Sequence, residues 1–165
     1  MKELTQIAQA VMQAFEAGGL KATETFPDCR QMETEQPLAA VRVRTAESKT
    51  MGFCNYLGQV WDAQAGTERE LYGKQLDAVI AVDIRGRRAA DCERGCEQAA
   101  EILLGGGLPS GIRAGELSWE GLTWERETER FLRRGKFRCA AVFTAQSRED
   151  GSAFLDFRLK GVLTR

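Results

Sequence analysis

Two cysteines are the first residues of this chain whose spacing suggests chemistry. Cys92 and Cys96 lie four residues apart in a helical pattern, so they share one face of a helix, where two thiolates could bind a metal ion. A closed zinc site needs four nitrogen or sulfur ligands, and the sequence has no histidine and no second close pair of cysteines. Free cysteines are often buried, so we interpret this pair as small apolar residues of the core.

Two aspartates form a second candidate pair. Asp77 and Asp83 fall six residues apart on one predicted strand and therefore on one face, where paired carboxylates can act in acid–base catalysis or bind a divalent cation. The sequence brings no third ligand to them, so we interpret both as surface or ion-paired carboxylates. The absence of histidine also removes the commonest general base. From these residue pairs we predict no metal ligands.

A basic segment is the third candidate. Residues 126–138 contain six basic and two acidic residues, and Arg133, Arg134 and Lys136 surround a glycine, which predicts a turn. Such a group of cations could contact a phosphate backbone. Alternatively, it is a solvated turn whose charges prevent edge-to-edge aggregation. Both interpretations stay open.

Two helices and a set of strands must position these residues. Apolar residues recur at helical spacing over residues 4–15 and 89–103, and consecutive glycines follow each segment and end the helix. Alternating or β-branched patterns predict strands over residues 20–26, 38–45, 50–61, 75–85, 112–119, 122–131, 137–145 and 153–160. Short connections between consecutive strands predict an α+β fold: a mainly antiparallel mixed sheet with two helices packed on one face.

The composition fits one domain that spans residues 1–165. Hydrophobic residues make up 43% and charged residues 28% of the chain, and the net charge of −1 gives no overall attraction to nucleic acid or membrane. The apolar runs are too short to cross a bilayer, and the first residues contain no apolar secretion segment. We expect a cytoplasmic product without a membrane partner.

The long polar segment 46–70 is predicted to project as an arm or loop. Excursions of this length are uncommon in compact domains and usually have a function. Tyr56 and Trp61 lie within the segment and Tyr72 follows it. Aromatic residues near strand ends can be the edge of a core or the anchors of an interface, and both interpretations stay open.

The order of these elements carries a resemblance to a known family. Its parts are the N-terminal helix, residues 66–73 (Gly-Thr-Glu-Arg-Glu-Leu-Tyr-Gly), the strand 77–84 (Asp-Ala-Val-Ile-Ala-Val-Asp-Ile), the helix with Cys92, and residues 154–161 (Phe-Leu-Asp-Phe-Arg-Leu-Lys-Gly). Together they resemble the tail-terminator proteins of long-tailed phages and phage-derived contractile particles, in the branch found in Gram-positive hosts.

The resemblance implies a structural protein that has neither catalytic activity nor a cofactor. It implies a ring, usually hexameric, that caps the head-proximal end of the tail tube, stops tube growth and offers a surface for joining the head. The implied partners are further copies of the chain, the tail tube protein with or without the sheath, a head–tail connector protein, and DNA that passes through the channel without sequence specificity. The implied location is the bacterial host cytoplasm during assembly and then the tail of the virion or phage-like particle.

Under this resemblance, two groups of residues receive expected roles. Tyr56, Trp61 and Tyr72 are expected to contact a neighbouring subunit or the tube. Arg133, Arg134 and Lys136 are expected to face the channel and its DNA. Three alternatives stay open: another neck component such as a head–tail connector or stopper, a small-molecule enzyme that uses the aspartate pair or a reactive cysteine, and a monomeric host adaptor domain.

Overall fold

The computed structural model describes residues 2–27, 35–147 and 156–161, and these residues form an α+β fold. Two helices and eight strands follow one another along the described chain. In order, they are α1 (Lys2–Ala17), β1 (Lys21–Thr23), β2 (Leu38–Thr50), β3 (Tyr56–Asp62), β4 (Thr67–Gly86), α2 (Ala89–Leu104), β5 (Ile112–Trp119), β6 (Thr123–Glu125), β7 (Arg130–Gln146) and β8 (Arg158–Leu159). The predicted fold class is therefore confirmed.

Both predicted helices are confirmed, and each packs an apolar stripe on the sheet. α1 buries Ile7 and Phe15 and ends before Gly19, whose φ of 83° is a left-handed conformation that glycine adopts easily. α2 ends at Gly105, whose N–H donates a hydrogen bond to the carbonyl oxygen of Glu101 at 2.7 Å. Neither of these described helices has the length and apolar character needed to cross a membrane.

The described strands form one sheet in which β4 is central. The strand order is β1–β2–β4–β7–β5, while β3 also pairs with β4, and β6 and β8 also pair with β7. The β1–β2 pair is parallel, and the other described pairs are antiparallel. The sheet is therefore mixed and mainly antiparallel, as predicted.

The pairing of β4 with β7 gives the sheet two chemically different faces. Its register runs without a shift from Leu71 opposite Gln146 to Gly86 opposite Phe131. One face is apolar and packs against both helices: its buried residues are Leu76, Ala78, Ile80, Val82 and Ile84 in β4 and Phe137, Cys139, Ala141 and Phe143 in β7. Each large buried side chain contributes about 1.5–3 kcal/mol, so this face holds the fold together. The opposite face, which we call the open face, carries Asp77, Val79, Ala81 and Asp83 of β4 and Arg134, Lys136 and Arg138 of β7.

The predicted turn at residues 133–136 is wrong, because these residues lie in the middle of β7. Arg134 pairs with Asp83, and Lys136 pairs with Ala81. Gly135 fits this strand because the ring of Trp119 fills the space that its side chain would occupy. The chain turns instead between β6 and β7, where Glu129 has a φ of 51°, so the single strand predicted over 122–131 is also wrong.

Other predicted strands change in length or lie partly outside the described residues. β2 continues to Thr50, and β4 begins at Thr67, inside the segment 46–70 that was predicted to be an arm or loop. The single strand predicted over 50–61 is wrong in its first part, because β3 begins only at Tyr56. The predicted strand at 20–26 is reduced to β1. Residues 28–34 and 148–155, which include the start of the strand predicted over 153–160, lie outside the described residues. Within the described part, Leu159 pairs with Phe143 in the predicted antiparallel sense.

The close approach of β4 to α2 generates a stability prediction. A Cβ added at Gly86 would lie 2.5 Å from the backbone nitrogen of Cys92, so Gly86→Ala must displace the helix. We expect a loss of about 1–3 kcal/mol in the free energy of unfolding, measured by chemical denaturation. Gly121→Ala is the matched control, because its added Cβ would meet no atom within 4 Å. Equal stability of the two variants would contradict this packing.

Candidate interaction surfaces

The β3–β4 hairpin, which comprises residues 56–72, extends beyond the end of β7. β3 pairs with β4 from Tyr56 opposite Tyr72 to Asp62 opposite Thr67. β7 pairs with β4 only as far as Leu71, so in the described chain residues 67–70 have β3 as their one ladder partner. The segment 46–70 is thus built from the end of β2, β3 and the start of β4.

The hairpin brings the three predicted interface residues to one face. The rings of Tyr56 and Tyr72 meet edge to face, with centroids 5.7 Å apart. The register shifts by one residue between Tyr56 and Gly58, so Trp61 stands opposite Glu68. Because Glu68 and Tyr72 are four residues apart on β4, they share a face, and the shift places Trp61 on the same face as the two tyrosines.

Exposed apolar side chains are concentrated in this part of the molecule. Of the six large apolar side chains that are exposed among the described residues, four lie between residues 53 and 61: Phe53, Tyr56, Leu57 and Trp61. Phe53 is 86% exposed and Trp61 66% exposed. A cluster of this kind indicates an interaction site more often than scattered exposed residues do.

Phe53 was missed by the sequence analysis. It lies in the tight connection between β2 and β3, where Cys54 and Asn55 have positive φ. The N–H of Gly73 donates to the carbonyl oxygen of Asn55 at 2.8 Å and fixes this connection to β4. The glycine before Phe53 and the asparagine after Cys54 were the available signals of a turn, and a side chain in a turn is often exposed.

The three predicted channel-facing cations do not lie together. Arg134 and Lys136 project from the open face, whereas Arg133 pairs with Ile84 and lies on the helix-covered face. The Nε of Arg133 donates to the carbonyl oxygen of Glu120 at 2.9 Å. The prediction that the three cations lie together assumed a turn, in which side chains need not alternate between two faces. In a strand they do alternate, so the prediction failed on this point.

Further cations join Arg134 and Lys136 on the open face. Arg138 follows on β7, and Arg113 and Arg44 come from the flanking strands. Grooves of about 640, 250 and 330 Å³ connect these positions along the face. The sequence analysis missed Arg44 and Arg113, because only the sheet register brings them close to β7.

The aspartate pair lies on the open face and is held by cations, as predicted. Asp83 accepts a hydrogen bond from Arg42 at 3.0 Å. Asp77 pairs with Lys49 and accepts a second hydrogen bond from Nε2 of Gln75 at 2.6 Å. The hydrogen bond from the Lys49 ammonium lowers the pKa of Asp77.

Three of the four described cysteines are core residues, and the fourth, Cys54, is exposed. Cys92 and Cys96 are buried in the apolar face of α2, which confirms their interpretation as small apolar residues. Burial raises the pKa of Cys139 to about 11. In the described parts of the chain, cysteines, aspartates and glutamates form no group of three or more that could hold a metal ion.

The largest groove on the open face bears on the enzyme alternative. Asp77 and Cys139 both border this groove of about 640 Å³, but Cys139 has the strand parity of the helix-covered face and is buried in the core. A general base works best with a pKa near the operating pH, and a nucleophilic cysteine needs a lowered pKa. Asp77 has a lowered pKa and Cys139 a raised one, so the environment shifts both groups away from these tasks.

No model of a known protein family and no curated protein sequence matches this chain. The two surfaces described above are therefore the main indications of its function.

The pair of Lys49 and Asp77 generates a pH prediction. Because the folded-state pKa of Asp77 is lowered, the pair stabilises the fold above the unfolded pKa of about 3.9, and this contribution is lost as the pH falls through the folded pKa. In Lys49→Gln we expect a higher pKa of Asp77, measured by NMR titration of its carboxyl carbon. We also expect a loss of stability at neutral pH that disappears in acid.

Lys136→Gln is the control for this titration, because Lys136 lies on the same face and pairs in register with Ala81, not with Asp77. Its removal should leave the pKa of Asp77 nearly unchanged. Equal pKa values in all three proteins would contradict the assigned ion pair.

Proposed function

We propose that this chain is a non-enzymatic structural protein of the tail-terminator type, which assembles into a ring and caps the head-proximal end of a phage tail tube. The observation that carries the proposal is the cluster of exposed aromatic side chains on the β3–β4 hairpin and the connection that precedes it, namely Phe53, Tyr56 and Trp61. This proposal also draws on the resemblance in the order of elements. The ring is expected to contain six subunits.

The hairpin has the composition of a protein interface. Tyrosine and tryptophan are enriched among the side chains that contribute most to binding, and such anchors lie at the centre of interfaces with a polar rim. Tyr56, Trp61 and Tyr72 are surrounded by Glu68 and Glu70 of the opposite strand. A tube end or a neighbouring subunit presents an extended surface, which a projecting hairpin fits better than a small-molecule pocket does.

The sheet also has the asymmetry that a ring requires. A closed ring is built from head-to-tail contacts in which one surface of a subunit binds a different surface of the next. In the described chain, β5 pairs only with β7 and β3 only with β4, so two different strand edges remain available. We propose that the hairpin provides one side of this contact.

The proposed partners follow from this role. They are further copies of the chain, the tail tube protein with or without the sheath, a head–tail connector protein, and DNA that passes through the channel. The proposed location is the bacterial cytoplasm during assembly and then the tail of the particle. Arg134 and Lys136 are proposed to face the DNA, whereas Arg133 lies on the other face of the sheet.

The double variant Phe53→Ala with Trp61→Ala tests the interface. Both side chains are highly exposed, so we expect normal folding. We expect capping to fall by about tenfold or more, because aromatic anchors contribute most of the binding energy of an interface. The measurement is the length distribution of tubes by electron microscopy when the protein is co-expressed with the tail tube protein of the same particle.

Leu104→Ala is the matched control, since Leu104 is an exposed apolar residue of α2 outside the hairpin. Native mass spectrometry gives the number of subunits in the same samples. Full capping by the hairpin variant would contradict the assigned interface. A natural protein that binds the connector but not tube ends would indicate another neck component, and one that stays monomeric and binds neither would indicate an adaptor domain.

A further inference from the structure

The open face presents a row of cations that have no partner within the described protein. Arg134, Lys136 and Arg138 alternate along β7 and therefore project from the same face, with a spacing of roughly 6.5–7 Å between neighbours. Their side chains make no hydrogen bond or ion pair with any described residue, and the same holds for Arg44 of β2. Cations that are exposed and unpaired are available to an external anion.

Two irregularities of the sheet enlarge this row. The register of β2 shifts between Val43 and Thr45, and as a result Arg44 lines the groove that contains Arg134 and Lys136. On the other side, Arg113 of β5 lines the groove that contains Arg138. The cations therefore come from three strands and cover a surface, not a single line.

The carboxylates of the open face offset these cations only in part. Asp83 and Asp77 are already paired with Arg42 and Lys49. Three further carboxylates line the grooves: Glu116 beside Lys136 and Arg138, Glu47 beside Asp77, and Glu120 in the groove that contains Arg44, Arg134 and Lys136. The centre of the row, along β7, remains positively charged.

The floor of the face indicates which polyanion it fits. Between the cations, the sheet presents the small or aliphatic side chains of Val79, Ala81 and Ala140. Proteins that bind single strands stack bases on aromatic side chains, and these floor positions have none. Trp119 is the one aromatic residue that lines the three grooves, and its ring is engaged within the protein, where it covers Gly135.

We infer that the open face binds the phosphate backbone of duplex DNA without sequence specificity, through Arg44, Arg113, Arg134, Lys136 and Arg138. The row of cations above a floor of small side chains matches successive phosphates, which contribute most of nonspecific affinity. This inference goes beyond the proposed capping role, because it assigns a DNA-binding activity to the isolated protein. It deepens that role by naming the face that would be turned towards the DNA, and in this respect it rests on the proposed function.

The test measures binding of the full chain to a fluorescently labelled duplex of random sequence by anisotropy, over a range of salt concentrations. In Arg134→Gln/Lys136→Gln/Arg138→Gln, we expect affinity at low salt to fall by about tenfold or more. The slope of log affinity against log salt should become shallower by about 2–3, since each phosphate contact contributes about 0.9. Arg44→Gln/Arg113→Gln, which changes cations on two other strands, should also weaken binding. The slope should then become shallower by about 2.

The control is Lys2→Gln/Arg87→Gln/Arg94→Gln, which removes the same charge from exposed residues outside the open face. Its affinity should stay within about twofold of the natural protein, because these three cations lie outside the open face and would make no contact with the bound phosphates. An equal loss of affinity in this control would show that net charge alone accounts for the effect, and it would overturn the inference. Unchanged DNA binding in both open-face variants would also overturn the inference. Binding to polyglutamate in place of duplex DNA would overturn it as well and would indicate an acidic protein partner.

The tube-capping assay separates this inference from the proposed function. The open-face triple variant should lose DNA affinity and still cap tubes, while the hairpin variant should lose capping and still bind DNA. If the natural protein binds duplex DNA but does not cap tubes, the proposed function is wrong and the DNA-binding activity stands.

Discussion

The sixteen-residue pairing of β4 with β7 is the constraint on which the rest of the molecule depends. Because side chains alternate along both strands, one continuous register sends Ile80 and Phe137 to the helices and Ala81 and Lys136 to the opposite face. A slip by one residue would bury Lys136 and expose Phe137, and burial of an unpaired cation is strongly unfavourable. The apolar core and the cationic open face are therefore two consequences of the same register, and neither can be changed without the other.

The same pairing explains why a hairpin projects. β4 is longer than the part of it that β7 pairs with, so in the described chain its first residues pair with β3 alone, apart from Glu70, which also hydrogen-bonds to Ser147 after β7. A two-stranded ribbon outside the helical layer has little core of its own, and exposed strand edges promote aggregation. The charged residues Glu68 and Arg69 and the register shift after Tyr56 reduce this risk. The exposed aromatic residues lower the solubility of the protein, and a partner that covers them would remove this disadvantage.

The local patterns of the sequence were sufficient for the helices and for most strands, because apolar periodicity and consecutive glycines act within a few residues. They failed where contacts between residues distant in sequence determine the local structure. The segment from Arg133 to Lys136 has the residues of a turn, yet Trp119 fills the space beside Gly135 and β4 supplies the hydrogen bonds of a strand. Membership of the open face depends on register, so Arg44 and Arg113 could not be grouped with Lys136 from sequence. The ion pair of Asp83 with Arg42 spans two strands in the same way, although the residue types alone favoured pairing.

The two candidate surfaces lie on opposite sides of the sheet, and this has a consequence for a ring. Tyr56, Trp61 and Tyr72 occupy the side that carries the helices, because Tyr72 has the same strand parity as Leu76. Arg134 and Lys136 occupy the other side. A subunit could therefore hold a protein neighbour with one side of its sheet and contact DNA with the other, without competition between the two. In a closed ring, such a subunit would turn the cationic face towards the channel and the hairpin towards the next subunit or the tube, so one sheet could serve both contacts.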